Sequence, residues 1–218
     1  MSLQVFGISA SPRAGGNSER LLAEALAGAA EAGAETELFP LRGLAISPCV
    51  ECNACYKTGR CRIEDSFQTA FAKMLDADRL ILATPIFFMA VSAQAKLLID
   101  RCQCLWARKY VLKAPLYPDG PRDRRAMVIA VGGSRSRKMF DSVALTMKYW
   151  FDALQVGYFA NLFANGVDAR GDVLKHPQAL AEAHHLGRAL ATPGEPMPEK
   201  PLTVELFQPP AEKDARAP

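Results

Sequence analysis

Four of the chain's six cysteines fall within thirteen positions: Cys49, Cys52, Cys55 and Cys61, spaced C-x2-C-x2-C-x5-C. A thiolate is a soft ligand and a nucleophile, so crowding of this kind points to a metal, a cluster or redox chemistry. Short C-x2-C repeats let one loop wrap several thiolates around an iron–sulfur cubane. A structural zinc site usually separates two C-x2-C knuckles by a longer insert, and here the third cysteine follows too soon. A disulfide and an ordinary cysteine-bearing turn are the plainer readings of the same residues. Cys102 and Cys104, two apart on an expected helix, fall on different faces and read as core or surface thiols.

A second group of residues could bind an anion. "SASPRAGGNS" (9–18) follows a short apolar run and precedes a helical pattern. Ser9 and Ser11 offer hydroxyls, and Arg13 adds a positive charge. Gly15 and Gly16 let the backbone come close. Asn17 and Ser18 sit where the helix opens, so free N–H groups there face whatever occupies the loop. The pattern is neither G-x-G-x-x-G nor G-x-x-x-x-G-K-[ST].

A third group suits a flat apolar ligand. In "ATPIFFMAVSAQAK" (83–96), Pro85 turns the chain and Ile86, Phe87, Phe88 and Met89 follow with apolar side chains. Their free backbone N–H groups would bond the ligand's edge. In "AVGGSRSRK" (130–138), Gly132, Gly133 and Ser134 again permit close approach. Arg135, Arg137 and Lys138 are candidates for holding a second phosphorylated ligand.

These loops need a scaffold that collects them at one edge. "LQVFGIS", "AETELFPL", "DRLILATPIFF", "RRAMVIAVGGS" and "GYFANLFANGV" read as five strands. Helical patterns follow them, "SERLLAEALAGAAEAG" and "DSVALTMKYWFDALQ" among them. Alternation of this kind implies a doubly wound parallel sheet with helices on both faces. Ligands then sit beyond the carboxyl ends of the strands. The expected organisation is one domain over 1–192, with a cysteine-rich insert at 47–65, then a proline-rich tail at 193–218. Seven of the fifteen prolines lie in that tail. It reads as loosely attached, or as an arm for a neighbouring subunit through "LTVELF".

A phosphate nest beside a flat apolar slot describes a site for riboflavin 5′-phosphate. "S-x-S-P-R-x-x-G-N-S" and "T-P-I-F-F" resemble the loops of the NADPH-dependent FMN reductase family, whose second loop usually reads T-P-x-Y. Phe87 stands where tyrosine is common, so no hydroxyl is available there. The resemblance covers roughly residues 3 to 190. It implies a flavodoxin-like five-stranded sheet of order 2-1-3-4-5. It also implies FMN held by Ser9, Ser11, Arg13, Gly16, Asn17 and Ser18 at the phosphate, and by Pro85, Ile86, Phe87, Phe88, Met89, Gly132, Gly133 and Ser134 at the rings.

The iron-sulfur flavoprotein branch of that family has a compact cysteine motif in the same place. By that likeness Cys49, Cys52, Cys55 and Cys61 would hold one [4Fe-4S] cluster. Electrons would pass between the cluster and FMN, with a small redox protein such as ferredoxin or a small molecule as partner. The resemblance also implies a homodimer or homotetramer. Two alternatives stand beside this: a cluster-free NAD(P)H-dependent FMN or quinone reductase, and a non-enzymatic FMN-binding redox sensor.

Composition narrows the field. A net charge of +3 over 218 residues is too small for a dedicated nucleic-acid binder. The start, "MSLQVFGISASPR", lacks a signal-peptide pattern, and no apolar run approaches a membrane span. A cytoplasmic location follows as the expectation, and there thiols stay reduced. His176, His184 and His185 lie away from the candidate loops, and no Ser/His/Asp arrangement can be argued.

Overall fold

The computed structural model describes residues 2–207. In chain order the elements are β1 (Gln4–Ser9), α1 (Asn17–Glu31), β2 (Glu35–Pro40), α2 (Cys55–Thr58), α3 (Phe67–Asp76), β3 (Arg79–Phe87) and β4 (Ala90–Val91). Then come α4 (Ala93–Arg101), α5 (Gln103–Trp106), β5 (Arg125–Val131), α6 (Asp141–Ala153), β6 (Gly157–Ala164), α7 (Ala179–Ala191) and β7 (Leu202–Leu206). The order across the sheet is β2-β1-β3-β5-β6-β7, all parallel, and β4 folds back antiparallel on the end of β3.

The five strands expected from the sequence are present in the expected order. The sheet has a sixth parallel member, however. β7 pairs with β6 from Ala160↔Leu202 to Ala164↔Leu206. This corrects the five-strand expectation, and residues 202–206 belong to the chain's own sheet. The alternation in "LTVELF" is the signal: Leu206 is buried against the core while Thr203 and Glu205 face out. The part of the expected tail at 208–218 lies outside the described residues.

Apolar strands divide their side chains between two cores because successive residues point to opposite faces. Phe6, Leu80, Leu82, Val128 and Ala130 meet α3, α4 and α6 on one face. Val5, Ile81, Ala83, Met127 and Ile129 meet α1 and α7 on the other. The α1–α7 crossing is unusually close. A Cβ on Gly187 would lie 1.9 Å from the Ala25 carbonyl oxygen, and one on Gly28 2.0 Å from that of His184. Among the described residues no helix is long and apolar enough to cross a membrane.

Candidate functional site

The loop after β1 forms the first part of the site. Gly16 caps α1, and no side chain caps that helix end, so its first N–H groups are not used by a cap. Gly15 has φ +61°, which glycine adopts without strain. A Cβ on Gly16 would lie 3.0 Å from Ser11 Oγ and 3.1 Å from the Arg13 carbonyl oxygen, so the cradle leaves no room for a side chain there. The hollow it encloses is about 80 Å³, lined by Ser11, Arg13, Gly16, Asn17, Ser18, Pro85, Ile86, Phe87, Gly132 and Gly133, with Asp168 and Arg170. Residues from four strand ends, those of β1, β3, β5 and β6, thus meet in one place.

Four candidate residues lie outside the hollow. The buried Ser9 hydroxyl donates to Glu19 Oε2 at 2.6 Å. Phe88 and Met89, with φ of 48° and 62°, form the two-residue tip of the β3–β4 hairpin. That turn type needs positive φ at both central residues, and it turns Phe88 fully into solvent. Ser134 is exposed, and its hydroxyl accepts from the Ser136 N–H at 3.1 Å. Asn17 lines the hollow, but its side chain fastens the 169–173 loop, donating to the Ala169 carbonyl at 2.8 Å and accepting from the Gly171 N–H at 2.9 Å. Arg137 is also committed elsewhere: it pairs with Glu205 and lies 4.2 Å over the Phe207 ring.

Sequence reasoning missed the carboxylate beneath the cradle. Glu19, in the first turn of α1, accepts from Ser9, from the Gly15 N–H at 2.9 Å, and from Arg42. Burial alone would raise its pKa, but these three donors together hold the carboxyl below its usual range. The loop is therefore shaped from below, and Arg42 ties it to the chain that leads into the cysteines. Arg170 was also missed. Its guanidinium would lie 3.1 Å from a Cβ on Gly15, which brings a second cation to the cradle beside Arg13.

The cysteine loop leaves the carboxyl end of β2 and packs beside α4 and α6. All six cysteines line one cavity of about 610 Å³, together with Arg101, Trp106, Tyr149 and Trp150. All six are free thiols. Cys102 and Cys104 are both buried, as core thiols would be, and both also border this cavity. The helix breaks at Cys102, whose N–H bonds to the Ile99 carbonyl three residues back at 3.0 Å, and α5 begins at Gln103. Burial pushes the Cys55 thiol up, and the sulfurs of Cys49, Cys52 and Cys61 lie close enough to add to that. Burial, with Cys61 and Cys55 nearby, raises Cys104 to about 12. The Trp150 indole N–H is buried in the wall and faces the Cys102 thiol.

Among the described residues no three His, Cys, Asp or Glu side chains are drawn together as a single metal ion would need. Four thiols from one loop face a shared space, and a cationic N–H donor, Arg101, lies on Cys61 Sγ at 3.3 Å. The chemistry such an arrangement offers is soft ligation or thiol redox chemistry.

A family described as NADPH-dependent FMN reductase matches residues 3–166. An iron-sulfur flavoprotein of Methanocaldococcus jannaschii is 45% identical over 103 residues, 47% of this chain and 53% of that protein. An iron-sulfur flavoprotein of Archaeoglobus fulgidus is 41% identical over 131 residues, 60% of this chain and 63% of that protein. The chain thus spans between half and two thirds of the length of these curated relatives. A putative NAD(P)H-dependent FMN-containing oxidoreductase of Bacillus subtilis is 27% identical over 84% of this chain and 96% of its own. Among solved structures, a flavone reductase superposes with a TM-score of 0.66 at 24% identity, over 87% of this chain and 62% of that one.

Proposed function

This chain belongs to the NADPH-dependent FMN reductase family, and we propose that it is an FMN-dependent oxidoreductase that moves electrons between FMN and a [4Fe-4S] cluster. The observation that carries the proposal is the convergence of Cys49, Cys52, Cys55 and Cys61 on one cavity, in a chain whose loop after β1 also forms an anion cradle. When bound, the cluster passes single electrons, and FMN exchanges them for hydride equivalents.

The chain's own residues have separable tasks. The open N–H groups of α1 and the Arg13 and Arg170 guanidinium groups attract the phosphate. Glu19 keeps Gly15 and Ser9 in place beneath it. Pro85, Ile86 and Phe87 with Gly132 and Gly133 give a flat, partly apolar wall for the ring system. The small hollow would take the phosphate, and Phe87 at its rim would face the rings. Cys49, Cys52, Cys55 and Cys61 would ligate the cluster.

The short third spacing supports this over a zinc knuckle. A cluster-free NAD(P)H-dependent reductase is the second reading, favoured by the match to the Bacillus oxidoreductase over 84% of this chain. As partners we propose a small redox protein such as ferredoxin or a small-molecule acceptor, and assembly as a homodimer or homotetramer. Free thiols suit the cytoplasm.

Single-electron and hydride donors separate the two readings. Under argon, reduced ferredoxin should bleach the flavin of the wild-type chain and bleach a Cys55→Ala chain far more slowly, while both bind FMN equally. Equal rates in both chains, with rapid bleaching by NADPH, contradict the cluster reading and leave the second.

A further inference from the structure

Arg101 ends α4, and its side chain has no exposed surface. Its guanidinium reaches both feet of the cysteine loop. One terminal nitrogen donates to the Ser47 carbonyl at 3.0 Å, before the first cysteine, and to Asp65 Oδ2 at 2.7 Å, after the last. The other donates to the Ile63 carbonyl at 2.8 Å, and Nε donates to Cys61 Sγ at 3.3 Å. The group lies 4.5 Å over the Phe67 ring, which fixes its plane. Asp65 closes the circle, accepting from the Ser47 N–H at 2.8 Å and the Phe67 N–H at 2.9 Å.

We propose that Arg101 is the positioning residue of the cysteine loop: its fork clasps the loop's two ends and aims an N–H at the Cys61 sulfur, so the four thiols are held in a receptive shape before any guest arrives. This rests on the reading of those thiols as cluster ligands. A buried ion pair contributes little net stability against an apolar replacement, so stability alone does not account for a guanidinium here. What a guanidinium supplies is geometry: planar donors pointing in several fixed directions, which an ammonium cannot reproduce. The loop's other fasteners are lighter: α2 has no buried residue, Tyr56 meets the Trp106 ring at 6.1 Å, and Gln68 donates to the Ile63 carbonyl at 3.0 Å. An N–H directed at a ligating sulfur also favours the electron-rich state of that sulfur.

The test uses the full-length reduced chain without iron, and the Arg101→Lys, Arg101→Gln and Asp65→Asn variants. Order of the loop is read by the rate of tryptic cleavage at the exposed Lys57, Arg60 and Arg62, followed by mass spectrometry, with FMN affinity as the control for folding. Both Arg101 variants should be cut there about tenfold faster or more, the factor for losing one hydrogen bond to a charged group. FMN affinity should not change. After reconstitution with ferrous iron and sulfide under argon, both should retain less iron than wild type. Wild-type cleavage in Arg101→Lys overturns the clasp, because charge alone then suffices. Should the Arg101 variants fail to bind FMN, Asp65→Asn decides: faster cleavage of the loop supports the clasp, and an unchanged rate overturns it. A wild-type chain that takes up no iron defeats the cluster reading alone, and the cleavage comparison still judges Arg101.

Discussion

Replacing Asp65 with asparagine gives a quantitative test of how the cysteine loop is held. Burial would raise the Asp65 pKa, but Arg101 and the N–H groups of Ser47 and Phe67 hold it down at about 2, against 3.8 for the free side chain. The folded value is depressed, so the stabilisation is fully present above the unfolded pKa and is lost as pH falls through the folded one. The shift of about two units corresponds to about 2 kcal/mol at pH 7. Linkage leaves roughly half of that at pH 3 and little below pH 2. Asp65→Asn should therefore lower stability at pH 7 by about 2 kcal/mol or more, since it also strands the buried guanidinium. For a chain of this size that is a drop in Tm of about 5 °C. Urea unfolding of wild type and variant from pH 3 to pH 7 measures the gap. A gap that is absent at pH 7, or that does not narrow toward pH 3, refutes the argument.

Three further outcomes are expected. Glu19→Gln weakens the pairing with Arg42 and one anchor of the cradle, and should lower FMN affinity about tenfold in a flavin-fluorescence titration. Gly187→Ala forces α1 and α7 apart at the Ala25 carbonyl and should cost about 1–3 kcal/mol, seen as a lower Tm by calorimetry with FMN affinity retained. Ending the chain before Leu202 uncovers the edge of β6 and removes buried Leu206 and the Glu205–Arg137 pair. Light scattering should then report self-association, and Tm should fall.

The scaffold was legible because its signals are local and redundant. Apolar runs of strand length alternate with helical spacing, and glycine- or proline-bearing loops sit at the strand ends. The grouping of the first loop was legible for the same reason: Ser11, Arg13, Gly16 and Ser18 are neighbours in sequence and remain neighbours in space. What escaped depends on distant partners or on backbone sign. Glu19 reads as an ordinary first-turn acid until Ser9 and Arg42 close around it. Arg101 reads as a helix-end cation until Ser47, Ile63 and Asp65 are seen to converge on it. Phe88 and Met89 looked like pocket walls because nothing in "PIFFMAV" announces a two-residue turn; asparagine and glycine, the usual residues there, are absent. Cys102 and Cys104 share a cavity only because the helix breaks between α4 and α5.

The central claim is that one chain carries both FMN and an iron–sulfur group on four neighbouring thiols. Iron, acid-labile sulfide and flavin assayed on chain purified without oxygen test it most directly. The account predicts one FMN with about four iron and four sulfide per chain, and loss of the iron but not the flavin when Cys49, Cys52, Cys55 and Cys61 are changed together to serine. Flavin bound to a chain that stays free of iron with all four thiols reduced contradicts the cluster, and a chain that binds neither contradicts the account as a whole.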